Sequence, residues 1–345
     1  MRISLFGRRT TVAAFGVAAS LLLAGCRGPQ TTMVGGGPAA ERIATLSWWV
    51  IGTFVVVSVV MWLLIFWVAV RRRGTLLTHM PVDAPEDTRW ILIGGFAIPT
   101  VILAVMFIAT LRTMAAFPMG DGEMDRHPPD IRVSGRQWWW EVEYLGERGI
   151  DHWATANEIH IPVGRPIDIE LRSKDVIHSF WIPQLHGKVD MIPDLVNRIR
   201  IQADTPGTYR GECAEYCGPQ HAHMVLLVVA HAADEYARWL AAQRGPAAVP
   251  DDAQAELGRQ VFMRNQCVLC HTIRGTDAHG LVGPDLTHVG SRQGIAANTA
   301  PNDIASLSAW VTHAQSLKPY ARMPNITSMT GVETRALVSY LRALR

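Results

Sequence analysis

Two short runs hold four of the chain's five cysteines, and each run has the residue types of a redox metal site. The first is Cys213-Ala214-Glu215-Tyr216-Cys217-Gly218-Pro219-Gln220-His221-Ala222-His223-Met224, which gathers two thiols, imidazoles and a thioether in one segment. A soft set of this kind suits copper, which prefers thiolate and thioether ligands. His178, in Asp175-Val176-Ile177-His178-Ser179-Phe180, offers another imidazole upstream. A disulfide is open to a protein outside the cytoplasm, and zinc accepts cysteine and histidine. The disulfide leaves His178, His221 and Met224 without a role, and zinc rarely recruits methionine. A mononuclear blue-copper site uses one cysteine, so the second thiol favours two copper ions bridged by both sulfurs.

The second run, Cys267-Val268-Leu269-Cys270-His271, has the spacing of covalent c-type haem attachment, in which both thiols add to vinyl groups and the histidine binds iron. A redox Cys-x-x-Cys pair is the competing reading. The histidine directly behind the second cysteine argues against it.

Donors this far apart need a scaffold that brings loops together. From Ile131 to His231 the chain breaks into short runs rich in β-branched and aromatic residues, such as Ile167-Asp168-Ile169-Glu170-Leu171, separated by Pro and Gly turns. Several alternate apolar and polar residues with period two, the pattern of half-buried antiparallel strands. An all-β sandwich or barrel is expected over residues 118–232, with His178 and the cysteine run at strand ends that it can bring together. The pattern stops at Ala233, and residues 233–252, ending Gly245-Pro246-Ala247-Ala248-Val249-Pro250, have linker composition. Residues 253–345 show helical patterns at 253–265, 303–314 and 331–344 around a loop rich in Gly, Asn and Pro. So small an all-α domain has few apolar residues of its own, and a bound group is expected to supply the centre of its core.

Three apolar stretches precede the barrel. The first follows Arg2, Arg8 and Arg9 and closes Leu23-Ala24-Gly25-Cys26, the layout of a secretory signal over residues 1–25. The other two, at 43–70 and 90–111, are 28 and 22 residues without a charge. Each exceeds the roughly 20 apolar residues a helix needs to cross a bilayer, and Trp48, Trp49, Trp67 and Trp90 stand near their ends as interfacial aromatics do. Arg71-Arg72-Arg73 place the connecting loop, 71–89, in the cytoplasm and the later domains on the outer face of a bacterial-type plasma membrane.

The net charge of +2 and the dispersed arginines exclude a nucleic-acid binder. Residues 118–231 carry 17 Asp and Glu against 11 Lys and Arg, a local excess that suits docking of a basic donor protein.

On these residues the chain resembles the cytochrome c oxidase subunit II family from about residue 43 to 232. The resemblance is carried by Gly135-Arg136-Gln137-Trp138-Trp139-Trp140-Glu141-Val142-Glu143-Tyr144, by Asp175-Val176-Ile177-His178-Ser179-Phe180 and by the cysteine run. It implies a two-helix transmembrane hairpin followed by a cupredoxin barrel with a dinuclear copper centre, CuA. In that centre Cys213 and Cys217 bridge, His178 and His221 each bind one copper, Met224 binds one ion and the Glu215 carbonyl the other. The resemblance also implies that the Glu215 side chain reaches a magnesium ion shared with subunit I. It puts Trp138 on the surface that receives electrons and makes Asp190 a donor-docking carboxylate. At the mouth of a proton path the family carries Glu, where this chain has Asp87 with Glu86 beside it.

Residues 253–345 resemble the small class I cytochromes c. That implies haem c attached to Cys267 and Cys270, with iron bound by His271 and Met323. Pro284, in Gly283-Pro284-Asp285-Leu286, would buttress the proximal histidine. The signal resembles the lipoprotein type, which implies a lipidated Cys26 at the start of the mature chain.

The expected role is that of an electron-transfer subunit in an aerobic respiratory oxidase. Haem c and CuA would accept electrons from cytochrome c or another donor and pass them to the haem–copper site of subunit I. Oxygen reduction and proton translocation would take place there, so no catalytic residue is expected in this chain. Subunit III and membrane lipid are further expected partners, and nucleic acid is not. The rival reading is a membrane-anchored copper and haem carrier serving another terminal reductase. The nitrous oxide reductase family shares the copper motif but lacks the two-helix anchor, and a quinol oxidase subunit II would keep the hairpin and lose the copper ligands.

Overall fold

The computed structural model describes residues 28–71, 85–117, 124–146 and 152–345. The signal segment, Cys26, loop residues 72–84 and the side chains of Glu86 and Asp87 lie outside that description. The chain divides into two units, one of residues 41–117 and one that combines residues 118–345 with the N-terminal segment.

In the first unit, helix α1 spans Pro38–Arg71, and its 34 residues are apolar on every side through the middle. A second helical run is built from α2 (Pro85–Trp90), a π-helical stretch (Ile91–Ala97) and α3 (Ile98–Ala115). Pro99 has no N–H for the carbonyl of Gly95, and the ladder widens to π pairing just before it. Both runs are long and apolar enough to cross a membrane, with a mean hydropathy of 2.6 in each. Both helices start before the charge-free stretch. A proline at the first helical position needs no N–H partner, and Glu41 suits a first turn.

The second unit opens with a segment laid on the barrel. Gly36 donates to Gln184 O at 2.7 Å and its own carbonyl accepts from Asp204 N at 2.9 Å. The barrel itself is two five-stranded sheets face to face. One contains β1 (Ile131–Arg136), β2 (Trp139–Leu145), β3 (His152–Ala156), β5 (Ile167–Ser173) and β8 (Asn197–Ile201), in the order β3-β2-β1-β5-β8. The other contains β4 (Glu158–Pro162), β6 (His178–Trp181), β7 (Val189–Met191), β9 (Gly207–Cys213) and β10 (Val225–His231), in the order β4-β10-β9-β6-β7. In β2, Trp140, Val142 and Tyr144 alternate inward, and the core fills with Phe180, Ile159, Ile161, Ile169 and Leu171. This is the sandwich that the period-two pattern predicts, but not every pairing is antiparallel as expected: β1 runs parallel to β5, and β4 to β10, because each pair is joined by a crossover and not by a hairpin.

Part of the expected linker is helical. Helix α4 (Ala233–Arg244) lays Trp239 flat on His160, ring centroids 4.0 Å apart, and packs it against Trp153 at 5.7 Å. Only two of its residues, Trp239 and Leu240, meet the barrel core, too few to show a helical period in sequence.

The helical domain has α5 (Ala253–Arg264), α6 (Cys267–Cys270), α7 (Ile304–Thr312), α8 (Ala314–Leu317) and α9 (Gly331–Ala343). Asp252 caps α5 through Ala255 N at 2.7 Å, and Thr330 with Glu333 forms a capping box on α9. Helices α5 and α9 cross where Gly258 meets Ala336. A Cβ on Gly258 would stand 1.9 Å from the Ala336 carbonyl oxygen, so only glycine permits that approach.

Candidate copper centre and haem pocket

Three strand ends of the β4-β10-β9-β6-β7 sheet assemble the first site. His178 opens β6, Cys213 closes β9, and Val225 opens β10 directly after Met224. The loop between β9 and β10 folds back so that its donors converge on one buried point. Cys213 Sγ lies 3.8 Å from Cys217 Sγ and 3.8 Å from His178 Nδ1. Cys217 Sγ lies 3.6 Å from His221 Nδ1 and 3.9 Å from Met224 Sδ. The Glu215 carbonyl turns inward, its oxygen 3.2 Å from Cys213 Sγ. His178 and Met224 are fully buried.

The separation of the thiols is far beyond the roughly 2.05 Å of a disulfide. Two thiols this close cannot both ionise freely. The Cys217 S–H, burial working against it, and His178 together draw the Cys213 thiol well below its ordinary value. The resulting charge, with burial, pushes the Cys217 thiol up. Two thiols, two imidazoles, a thioether and a carbonyl aimed at one dry spot are a donor set that fits soft metal ions.

Residues around the donors set their orientation. His178 Nε2–H donates to Asp175 Oδ1 at 2.7 Å, which turns the Nδ1 lone pair towards Cys213. Asp175 also accepts from Gln137 N at 2.7 Å and Val176 N at 2.8 Å. Burial opposes a charge on His178, but Asp175 and Cys213 outweigh it and hold the imidazole above its ordinary value. Gly135 leaves room for that ring, since a Cβ there would lie 2.7 Å from His178 Cδ2. The Cys217 carbonyl accepts from Gln137 Nε2 at 2.8 Å and Trp138 Nε1 at 2.9 Å, and Trp140 Nε1 reaches Met224 O at 3.3 Å.

The Glu215 side chain points away from the thiols and is about half exposed. Lys188 Nζ stands 3.8 Å from its carboxylate and 3.7 Å from that of Asp190, which is also about half exposed.

The second site is an apolar cavity inside the helical domain. Cys267, Cys270, His271, Pro284, Met323, Trp310 and Leu337 are among its lining residues, so every candidate haem residue faces one space. Met329 and Met263 do not line it. His271 Nδ1–H donates to Pro284 O at 2.8 Å, which fixes the tautomer and frees Nε2 as a ligand. Burial pushes the His271 imidazole below its ordinary value, favouring the neutral, metal-binding form. A Cβ on Gly283 would lie 2.5 Å from His271 Cε1. Opposite, Gln315 Nε2 pins the Met323 loop through Ala321 O at 2.6 Å and Met323 O at 2.7 Å. An apolar slot with paired thiols on one wall, a neutral imidazole and a thioether fits haem c.

Gln137, Trp138 and Trp139 line the same cavity, so the copper domain supplies part of its wall. Trp138, which the resemblance puts on the electron-entry surface, is 7% exposed. Sequence reasoning also did not single out Asp175, Gln137 or Lys318 as contributors. Asp175 had one signal, its i,i+3 spacing to His178.

A family profile described as "Cytochrome C oxidase subunit II, periplasmic domain" matches residues 146–231, and one described as "Cytochrome c" matches residues 255–345. Cytochrome c oxidase subunit 2 of Alkalihalophilus pseudofirmus is 34% identical over 333 residues, covering 94% of each chain. Cytochrome c oxidase subunit 2 of Bacillus subtilis is 28% identical over 344 residues, covering 94% of this chain and 95% of that one. Among solved structures, the periplasmic domain of subunit II of cytochrome oxidase from Bradyrhizobium japonicum is 28% identical, with a TM-score of 0.31. It covers 34% of this chain and 96% of that one. The two domains imply a copper centre and a haem c with an electron-transfer role, in a membrane-anchored subunit of a haem–copper oxidase complex. The chain belongs to the cytochrome c oxidase subunit II family, in the form that carries a cytochrome c domain fused behind its copper domain.

Proposed function

We propose that the chain receives electrons from an outside donor and delivers them to oxidase subunit I, where oxygen is reduced and protons are translocated. His178, Cys213, Cys217, His221, Met224 and the Glu215 carbonyl would hold dinuclear copper, and Cys267, Cys270, His271 and Met323 would hold haem c. These groups, when bound, supply reversible one-electron storage and leave no open coordination position for substrate.

The remaining residues orient and insulate. Asp175 and Gly135 fix the His178 ring, Pro284 and Gly283 fix the His271 ring, and buried β-strands keep water from the thiols. Rigid donors in a dry site need little rearrangement when charge arrives, which suits electron transfer.

The observation that carries this reading is the shared wall. Trp138 faces the haem cavity and hydrogen-bonds the carbonyl of Cys217 in the copper loop. The donor would dock on the outer surface, steered by the acidic excess of residues 118–231 and by Asp190. Glu215, with Asp190 nearby, is a candidate magnesium ligand towards subunit I, a hard site of oxygen donors that Lys188 covers in the chain alone. Asp87 or Glu86 would stand near the mouth of the proton path, the two helices would cross the plasma membrane with both later domains on the outer face, and Cys26 would carry lipid.

The test compares the isolated chain with the complex purified from membranes, subunits I and III included. The isolated chain should take up one electron per centre and consume no oxygen, whereas the complex should consume oxygen and, once reconstituted in sealed vesicles, acidify the medium on the side of the copper and cytochrome domains. Oxygen uptake by the isolated chain, or none by the complex, would contradict the proposal.

A further inference from the structure

Lys318 lies in a loop between α8 and Met323 and is only 2% exposed. Its ammonium donates to Trp138 O at 2.7 Å, His223 O at 2.7 Å and Ala296 O at 2.9 Å. Three donors meet three acceptors, which saturates the group. None of the three hydrogen-bond partners is a carboxylate, so a buried charge is balanced by carbonyl dipoles and by the field of Cys217, a costly arrangement that persists only where surrounding contacts impose it. Burial draws the pKa of Lys318 down to about 7, in keeping with a dry seam.

Two of the three carbonyls belong to the copper domain, and both sit beside its donors. Trp138 holds Cys217 O, and His223 lies between His221 and Met224. The third carbonyl belongs to the cytochrome domain, in a run of three non-glycine residues with left-handed backbone: Ala296 at φ 53°, Ala297 at 58° and Asn298 at 56°. Such a run is strained, and its effect is to turn backbone and side-chain groups towards the copper domain. Val225 N donates to Ala297 O at 3.3 Å, and Asn298 Nδ2 donates to Asn157 O at 3.1 Å. The adjoining Gln293 N donates to Glu158 Oε1 at 2.6 Å.

We propose that Lys318 is a positioning residue that clamps the cytochrome domain onto the copper domain, through its three-way hold on the carbonyls of Trp138, His223 and Ala296. The clamp fixes the wall shared by the haem cavity and the copper loop. It keeps the fused domain seated on Trp138. The inference deepens the electron-transfer reading above and rests on it.

The experiment compares full-length wild type with Lys318→Met in detergent, loaded with copper and haem. Hydrogen exchange at the amides of Val225 and Gln293, which cross the seam, should quicken about tenfold or more in the variant. Amides inside α5 and α9 should exchange as in the wild type, and copper and haem should both still be bound. Haem-to-copper electron exchange after laser injection of an electron should slow and become sensitive to solvent viscosity, because docking then limits it. A second measurement needs no variant. The chain has only three lysines, and a water-soluble acylating reagent should label exposed Lys174 and Lys188 while sparing Lys318. Labelling of Lys318 as fast as Lys174, or seam amides that exchange alike in both proteins, would overturn the clamp. Missing copper or haem spectra in the wild type would instead overturn the electron-transfer reading itself.

Discussion

The indole Nε1 of Trp138 donates to the backbone carbonyl of Cys217 at 2.9 Å, and the same side chain forms part of the haem cavity wall. One residue therefore touches both candidate cofactor sites. Trp138→Phe keeps an aromatic ring but removes the indole N–H and part of the ring volume, at a cost of about 1 kcal/mol for the hydrogen bond plus a cavity contribution. Gln137 Nε2 still holds the Cys217 carbonyl. Copper and haem spectra should survive, while haem-to-copper electron exchange, measured by flash photolysis, should fall roughly tenfold because positioning is lost.

Met224 is fully buried with its sulfur 3.9 Å from Cys217 Sγ. Met224→Leu conserves volume and should cost less than about 1.5 kcal/mol in stability. Haem attachment should be intact while the copper spectrum changes. Loss of both signals together would mean that the two domains do not fold independently.

Gly283→Ala places a methyl group 2.5 Å from His271 Cε1. The ring or the loop must move, and overpacking of this kind costs about 1–3 kcal/mol. The expected result is haem that remains covalently attached through Cys267 and Cys270 but with weakened His271 ligation, seen as a high-spin shift in the optical spectrum.

Glu170 lies between Arg132 at 2.6 Å and Arg172 at 2.7 Å on the barrel. Burial pushes its carboxyl up, but both guanidiniums outweigh burial and leave it below its ordinary value. A carboxylate whose folded pKa is depressed stabilises above its unfolded pKa and loses that contribution as pH falls through the folded value. Thermal melts should show Glu170→Gln less stable than wild type at neutral pH. The difference should shrink as pH drops below about 4.3, the ordinary glutamate value.

Residue type and local spacing made the metal chemistry legible. Cys213, Cys217, His221 and Met224 share one loop, and Cys267, Cys270 and His271 one turn, so their relation needs no tertiary information. The strands were readable because runs such as Ile167-Asp168-Ile169-Glu170-Leu171 in β5 alternate apolar and polar residues. Helices α5 and α9 were legible in the helical patterns at 253–265 and 331–344, and the structure adds the caps Asp252 and Thr330 that start them. Lys318 was not legible, because its burial depends on where two domains meet and nothing within its own loop encodes that. The covering of Trp138 by the cytochrome domain was hidden for the same reason. Helix α4 was hidden because one tryptophan, stacked on His160, does most of its docking.

The most direct test of the account is an electron-paramagnetic-resonance and optical spectrum of the full-length chain, purified in detergent after copper and haem maturation. The account predicts a mixed-valence copper signal with hyperfine structure shared over both ions, alongside a low-spin c-type haem band. A haem band with no such copper signal after copper loading would contradict the dinuclear centre and return Cys213 and Cys217 to a disulfide or zinc site.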